Sequence, residues 1–245
     1  GPSVSDSVLY TINATPSVVA GGNATICQSN SSYQLQATAT NTNSITWTST
    51  GSGSFDNVNN EDPIYTLSPN DINAGSVTFT ITGTQAGCSN VTDTMVLTIQ
   101  KNPTANAGAA QVICQGDMIV LPGSATNASG YNWIRNGGGG TFINTNTTNP
   151  TYMSQPTESG TIYLTLIANA IAPCTVSASS NTTITIIPNA TADAGINAQI
   201  CEGSSYQITT ASASNYVGVQ WSTNGDGTFT GGSTISPCLL YTSDA

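Results

Sequence analysis

One spacing governs what this chain can fold into. Cys27, Cys114 and Cys201 lie 87 residues apart, and so do Gly21, Gly108 and Gly195, and again Phe55, Phe142 and Phe229. Trp47, Trp133 and Trp221 follow at intervals of 86 and 88. Four residue types share the period, two of them rare in a chain with 3 Trp and 6 Cys, and together they define a tandem repeat of about 87 residues.

A complete unit runs through this order: an Ala-Gly lead-in, Ile-Cys, a strand, a Trp strand, a Gly turn to Phe, a Pro-x-Tyr strand, a Gly-led strand, a second Cys and a closing strand. Within the strands, apolar residues alternate with polar ones, the pattern of a strand buried on one face. Tyr33/Leu35/Ala37 recurs as Ile119/Leu121/Gly123 and Tyr206/Ile208/Thr210. Val77/Phe79/Ile81 recurs as Ile162/Leu164/Leu166, and Met95/Leu97/Ile99 as Thr182/Ile184/Ile186. No segment reads as a helix. About seven short strands per unit, punctuated by Gly, Pro and Asn, predict an all-β fold of tandem two-sheet sandwiches.

The period sets the domain limits. Residues 1–15 carry Val8/Tyr10/Ile12 in phase with Met95/Leu97/Ile99 and read as the last strand of a preceding repeat. Residues 16–102 and 103–187 read as complete repeats, and 188–237 as a truncated one without the Pro-x-Tyr strand, second Cys or closing strand. Residues 238–245, Cys-Leu-Leu-Tyr-Thr-Ser-Asp-Ala, resemble the translation of a sequencing adapter and are set aside from the fold. A half-sandwich buries too little surface to offset chain entropy, so 188–245 is expected to be marginally ordered. The linkers Ile99 to Pro103 and Ile187 to Pro188 are short and contain proline, which predicts a semi-rigid rod.

Composition narrows the partners. Only 6% of residues are charged, and Lys101 and Arg135 stand against 12 acidic residues for a net charge of -10. That balance repels phosphate backbones and anionic headgroups, so neither nucleic acid nor a membrane surface is an expected partner. A hydrophobic content of 38%, much of it β-branched, argues against disorder. The longest apolar runs, such as Ile184 to Ile187, fall far short of the roughly 20 residues that span a bilayer, so no direct membrane insertion is expected. Paired cysteines and Thr/Ser/Asn-rich strands in place of lysine point to export.

The chain has no His, one Lys, one Arg and scattered carboxylates, and no carboxylate pair is read as repeating with the unit. That set supplies no general base, activated nucleophile or cofactor-binding group, so no catalytic or cofactor-binding residue is expected and the chain reads as no enzyme. No metal site is expected either, since neither His nor Cys-x-x-Cys occurs. Asn59-Asn60-Glu61-Asp62 and Asn70-Asp71 offer oxygens to Ca²⁺ without the spacing of a calcium loop, and read as solvated turns. Cys27 and Cys88 are 61 residues apart and Cys114 and Cys174 are 60 apart, which favours two like disulfides within repeats over crossed pairing or free thiols. These cysteines flank strands, unlike the core bridge of antibody domains. Trp47, Trp133 and Trp221 alternate with Ile45, Tyr131 and Val219 and are assigned to the core, not to sugar-stacking platforms. Tyr163 and Tyr216 are left facing solvent.

With Cys114-Gln115-Gly116 before a strand, Trp221 to Phe229 (WSTNGDGTF) in the middle and Gly87-Cys88-Ser89 late, the unit resembles the PKD-like and related immunoglobulin-like repeats of Bacteroidota surface proteins. The resemblance implies seven-stranded immunoglobulin-like (PKD-like) β-sandwiches. It also implies an extracellular, cell-surface location and export by the type IX route, as in gliding-motility-type adhesins. Only Asp226 keeps the Gly-Asp-Gly common in PKD domains, with Ser52 and Gly139 in the other units. Asp6-Ser7-Val8 and Asp93-Thr94-Met95 resemble the O-glycosylation motif of the same bacteria, against the plainer reading of strand-edge capping. The functional expectation is a non-catalytic spacer segment of a large adhesin. Its partners would be adjacent repeats, with surface polysaccharide or protein bound by other parts of the full-length chain. The alternatives are a glycan- or protein-binding module and an accessory domain of a secreted hydrolase.

Overall fold

A computed structural model of the chain describes residues 1–240. In the first repeat the chain forms β1 (Ser17–Val19), β2 (Ala24–Cys27), β3 (Ser32–Gln34), β4 (Thr38–Thr40), β5 (Ser44–Ser49), β6 (Ser54–Phe55), β7 (Ile64–Thr66), α1 (Pro69–Ala74), β8 (Ser76–Thr84) and β9 (Val91–Gln100). The strands make a four-stranded sheet ordered β2-β9-β8-β5, a three-stranded sheet ordered β3-β7-β6 and a β1-β4 ribbon. The second repeat reproduces this with β10 (Thr104–Asn106), β11 (Gln111–Cys114), β12 (Met118–Val120), β13 (Ser124–Thr126), β14 (Ala128–Asn136), β15 (Thr141–Ile143), β16 (Thr151–Met153), β17 (Gly160–Ala170) and β18 (Ala178–Ile187). Its sheets are β11-β18-β17-β14, β12-β16-β15 and β10-β13. The third adds β19 (Thr191–Asp193), β20 (Ser205–Gln207), β21 (Ser212–Ser214), β22 (Thr228–Thr230) and β23 (Cys238–Leu240).

Each complete unit thus has nine strands in place of the expected seven, because two of them break. The lead-in splits at Gly21, where φ of +91° lets the chain leave β4, its antiparallel partner, and join β9 in parallel. A Cβ at Gly21 would collide with the Gln36 carbonyl oxygen. The next strand splits between β3 and β4, where the Ala37 N–H leaves the ladder to donate to Asp62 Oδ1 at 2.9 Å. The helix α1 is also a departure from the all-strand expectation: six residues are too few to show a helical period. It is specified by its ends, a Ser68/Asp71 capping box with Pro69 at its start and Gly75 in the left-handed region at its close.

The alternating residues meet between the sheets. Phe79, Ile81, Leu97 and Leu35 are buried with Trp47 in the first core, and Leu164, Leu166, Ile184 and Leu121 with Trp133 in the second. Trp47 is 1% exposed and Trp133 4%. Each indole N–H reaches a backbone carbonyl, that of Glu61 at 3.4 Å and of Thr148 at 3.2 Å, as a buried indole requires. Trp221 does not share this burial. It is only partly covered, and its assignment to a core is corrected here. Among the described residues the third repeat has no counterpart of β2, β5, β8 or β9, and Trp221, outside any strand, borders an open cavity of about 360 Å³ lined by Ala192, Ala213, Val219 and Ile235.

Two further expectations change. Residues 1–16 form no strand, and Val8, Leu9, Tyr10 and Ile12 are exposed, because no sheet lies beside them to complete a ladder. Cys238–Leu240, set aside on sequence, forms β23 between β20 and β22, the position β7 and β16 hold in the other repeats. The remaining adapter-like residues, 241–245, lie outside the described ones.

The cores differ at one informative place. Thr182 occupies the position of Met95, is buried, and its hydroxyl has no hydrogen-bond partner. Thr182→Val removes that orphan donor at nearly constant volume, and an increase in unfolding free energy of about 1 kcal/mol is expected in urea titrations. An unchanged or lower midpoint would place the hydroxyl's partner elsewhere.

Candidate functional site at the junction between repeats

The residues with the most chemical consequence gather where one repeat hands over to the next. Cys27 ends β2 in register with Gln100, the last residue of β9, so it stands beside the exit of the first repeat. Cys174 lies in the turn between β17 and β18, its N–H donating to the Ile171 carbonyl at 3.0 Å. The turn of the second repeat folds back over the linker, and Cys27 and Cys174 are joined in a disulfide with Cα atoms 4.9 Å apart. Both cysteines are buried. Around them, Asn102 Oδ1 lies 3.1 Å from Cys27 Sγ, and the Gln100 carbonyl oxygen 3.3 Å from Cys174 Sγ.

This bond overturns the pairing expected from spacing. Cys27 is not bonded to Cys88, nor Cys114 to Cys174; Cys88 and Cys114 are free, as are Cys201 and Cys238. The physical reason is location. The turn bearing Cys88 and the end of β2 bearing Cys27 belong to opposite ends of one sandwich, whereas stacking two sandwiches end to end brings the far end of one against the near end of the next.

A second device recurs at every junction and escaped the sequence reading. Asn41, Asn127 and Asn215 sit in the left-handed region with φ of 55°, 53° and 54°. Their side-chain amides donate to the linker carbonyls of Thr15 at 3.0 Å, Asn102 at 3.3 Å and Asn189 at 3.2 Å. Asparagine tolerates that backbone conformation better than other residues with side chains. Their spacing of 86 and 88 was present in the sequence but lost among many asparagines. Lys101 adds a bond from Nζ to the Asn73 carbonyl at 3.0 Å.

Within each sandwich a buried carboxylate clamps the Gly turn. Asp71, 2% exposed, accepts from the N–H groups of Ser52 at 2.8 Å, Gly53 at 3.1 Å and Ser68 at 2.9 Å, and from the Tyr65 hydroxyl at 3.1 Å. Glu158, 7% exposed, accepts from Gly139 N–H at 2.7 Å, Gln155 N–H at 3.2 Å and the Tyr152 hydroxyl at 2.8 Å. Asp71 and Glu158 are 87 residues apart, so a carboxylate does repeat with the unit; the change from Asp to Glu concealed it. Asp71 is therefore no solvated turn residue. The turn glycines follow from the same contact, since a Cβ at Gly53 would strike the Tyr65 ring and the Thr66 carbonyl.

These carboxylates give the fold a pH dependence. Burial pushes the Asp71 carboxyl up, but hydrogen bonds led by the backbone N–H groups of Ser68 and Ser52 outweigh it and hold the group below its usual range. Glu158 is likewise raised by burial and then lowered further by the Tyr152 hydroxyl and by backbone N–H groups of Gly140, Gln155 and Gly139. Burial first, then Glu158, pushes Tyr152 up to about 12. A carboxyl whose folded pKa lies below its unfolded one stabilises fully above the unfolded value of about 4, and the contribution drains away as pH falls through the folded pKa. Urea midpoints should therefore hold steady from pH 7 down to about 5 and drop at lower pH. Asp71→Asn should flatten part of that fall, and an identical profile in the variant would assign the effect to other groups.

The remaining carboxylates of the first repeat are occupied in the same manner. Glu61 Oε1 accepts from Ala39 N–H at 2.8 Å, Asp93 Oδ2 from Ala20 N–H at 2.8 Å, and Asp56 Oδ1 from Ile64 N–H at 2.9 Å. Asp93 thus caps the lead-in strand, and Ser180 does so for Ala107 in the second repeat at 3.0 Å, while the neighbouring Thr94 points outward. Among the described residues no group of three or more His, Cys, Asp or Glu side chains converges as a metal site. Among the described residues no helix is long and apolar enough to cross a membrane.

The sheet order, with the lead-in strand passing from one sheet to a parallel pairing with the last strand of the other, defines the chain as a tandem array of immunoglobulin-like β-sandwiches. The array is similar in fold to the three immunoglobulin domains I67–I69 of titin, solved as an E-to-A variant, with a TM-score of 0.50 and 10% identity over 95% of this chain and 90% of that one. Cadherin domains 3–6 of protocadherin gamma B2 give a TM-score of 0.49 and 12% identity over 94% of this chain and 65% of that one. For the human desmocollin-1 ectodomain the figures are 0.44 and 11%, over 93% and 54%. No family model and no curated protein matches the sequence.

Proposed function

We propose that this chain is a non-catalytic spacer segment of a large secreted or cell-surface adhesin, in which stacked repeats hold a binding region away from the surface. The observation that carries this reading is the covalent Cys27–Cys174 bond across the junction, at a linker also held by Asn127. A recognition module needs an exposed patch of convergent aromatic or charged groups; here the five carboxylates of the first repeat and Glu158 of the second are bound to backbone N–H groups, and the tryptophans of both complete repeats are buried. A disulfide and an Asn clip at one junction limit swing between neighbours, the mechanical property a spacer requires. The disulfide and the shortage of lysine fit an extracellular setting, and the unit's resemblance to Bacteroidota adhesin repeats fits export by the type IX route. Small-angle X-ray scattering of the full chain tests the mechanical reading. The maximum dimension should match end-to-end stacking of the first two repeats, and reduction should broaden the distance distribution. A glycan or protein ligand bound by residues 16–187 at micromolar concentration would overturn it.

A further inference from the structure

The two half-sites joined by the Cys27–Cys174 disulfide recur in both complete repeats. Cys114 is the counterpart of Cys27 at a spacing of 87. It ends β11 in register with Ile187 as Cys27 ends β2 in register with Gln100. The following residues bond alike, Gln28 N–H to the Gln100 carbonyl at 2.9 Å and Gln115 N–H to the Ile187 carbonyl at 3.0 Å. Cys114 is exposed and unpaired at the exit of its repeat. Cys88 is the counterpart of Cys174: each donates its N–H at 3.0 Å to the residue three positions earlier, Gln85 or Ile171. Independently, Asn13, 87 residues before Gln100, donates from Nδ2 to the Ala86 carbonyl at 2.7 Å. The segment entering the first repeat therefore lies on the turn that bears Cys88, as Gln100 lies on the turn that bears Cys174.

We infer that Cys114 and Cys88 are staple sites for further copies of this repeat. Cys114 takes the turn cysteine of the unit that follows, and Cys88 takes the strand-end cysteine of the unit that precedes, so that an array is bonded at every junction and not within any unit. Each staple forms by thiol–disulfide exchange with a disulfide-carrying oxidant. Two S–H bonds break and one S–S bond forms in the array, while the oxidant's S–S bond accepts the two electrons and two protons and leaves as two thiols. The inference deepens the spacer reading and rests on it for its consequence, a rod that is continuous covalently as well as by peptide linkage.

The test inserts one extra copy of residues 101–187 after Ile187 of the full chain, the copy carrying Cys114→Ser, and refolds it in a buffer of oxidised and reduced glutathione. Lys101 and Arg135 are the only basic residues, so trypsin under denaturing, non-reducing conditions separates the cysteines into peptides of distinct mass. Two linked pairs are expected. Peptide 1–101 should be joined to the peptide that starts at Asn136 of the original unit. Peptide 102–135 should be joined to the peptide that starts at Asn136 of the inserted copy. Cys88, Cys201 and Cys238 should be recovered alkylated. A bond from Cys114 to Cys174 of its own unit, or Cys114 recovered as a thiol, overturns the inference, as does absence of the 1–101 linkage that serves as its template. A free Cys114 would leave the spacer reading standing, whereas ligand capture would end that reading without touching the staple.

Discussion

Cys27→Ser is expected to lower the unfolding free energy of the paired repeats by about 5 kcal/mol, the chain-entropy value for opening a closed loop of 147 residues. The same substitution at Cys88 or Cys114 should leave the denaturation midpoint where it is, since neither sulfur is bonded. The contrast is what makes the measurement decisive. Had the bonds been within repeats, Cys88→Ser would cost as much as Cys27→Ser, and each loss would fall on one sandwich. With the bond between repeats, the loss falls on their joint unfolding, and the oxidised chain should unfold in one transition where the reduced chain shows two. Guanidinium titrations of the oxidised and reduced chain and of the three variants give both readouts. Equal costs at positions 27 and 88 would refute the junction bond.

The reason spacing misled is general to periodic chains. Cys27–Cys88 and Cys27–Cys174 differ by almost one full period, so regular spacing is as compatible with bonds between units as with bonds within them. Only the placement of the two turns in space separates the cases, and that follows from which sheet each strand joins. The core was legible for the opposite reason. Burial constrains residue identity locally, so Phe79, Leu164, Leu97 and Ile184 announce themselves by alternation alone. The clamp residues fell between these extremes. Asp71 and Glu158 do the same work with different side chains, since a carboxylate reaching a cluster of N–H groups can do so from either length of stem. Asn41, Asn127 and Asn215 kept their identity but not their visibility, because a chain this rich in asparagine offers no contrast. The nine-strand count was hidden because Gly21 and Asp62 break strands through backbone geometry and one hydrogen bond, neither of which changes the alternation on either side.

Trp47→Ala and Trp133→Ala are each expected to destabilise their own sandwich by about 3–5 kcal/mol, whereas Trp221→Ala should change stability by less than about 1 kcal/mol. The three residues hold the same place in the repeat and each donates an indole N–H to a backbone carbonyl, at 3.4, 3.2 and 3.0 Å. They differ in what lies across the sandwich. Trp47 shares its core with Phe79, Ile81 and Leu97, and Trp133 with Leu164, Leu166 and Ile184, so truncation leaves a cavity that rigid sheets cannot close. Trp221 meets Phe229 at 5.7 Å between ring centroids but borders an open cavity where the four-stranded sheet stands in the other units. Its removal therefore exposes little that water does not already reach. The same asymmetry predicts that limited proteolysis removes residues 188–240 while 103–187 stays intact, and that Trp221→Ala does not hasten that cleavage. Thermal melts of the three variants, followed by near-ultraviolet circular dichroism, measure the difference directly. A cost at Trp221 equal to that at Trp133 would mean that the third repeat buries its tryptophan against a partner sheet after all.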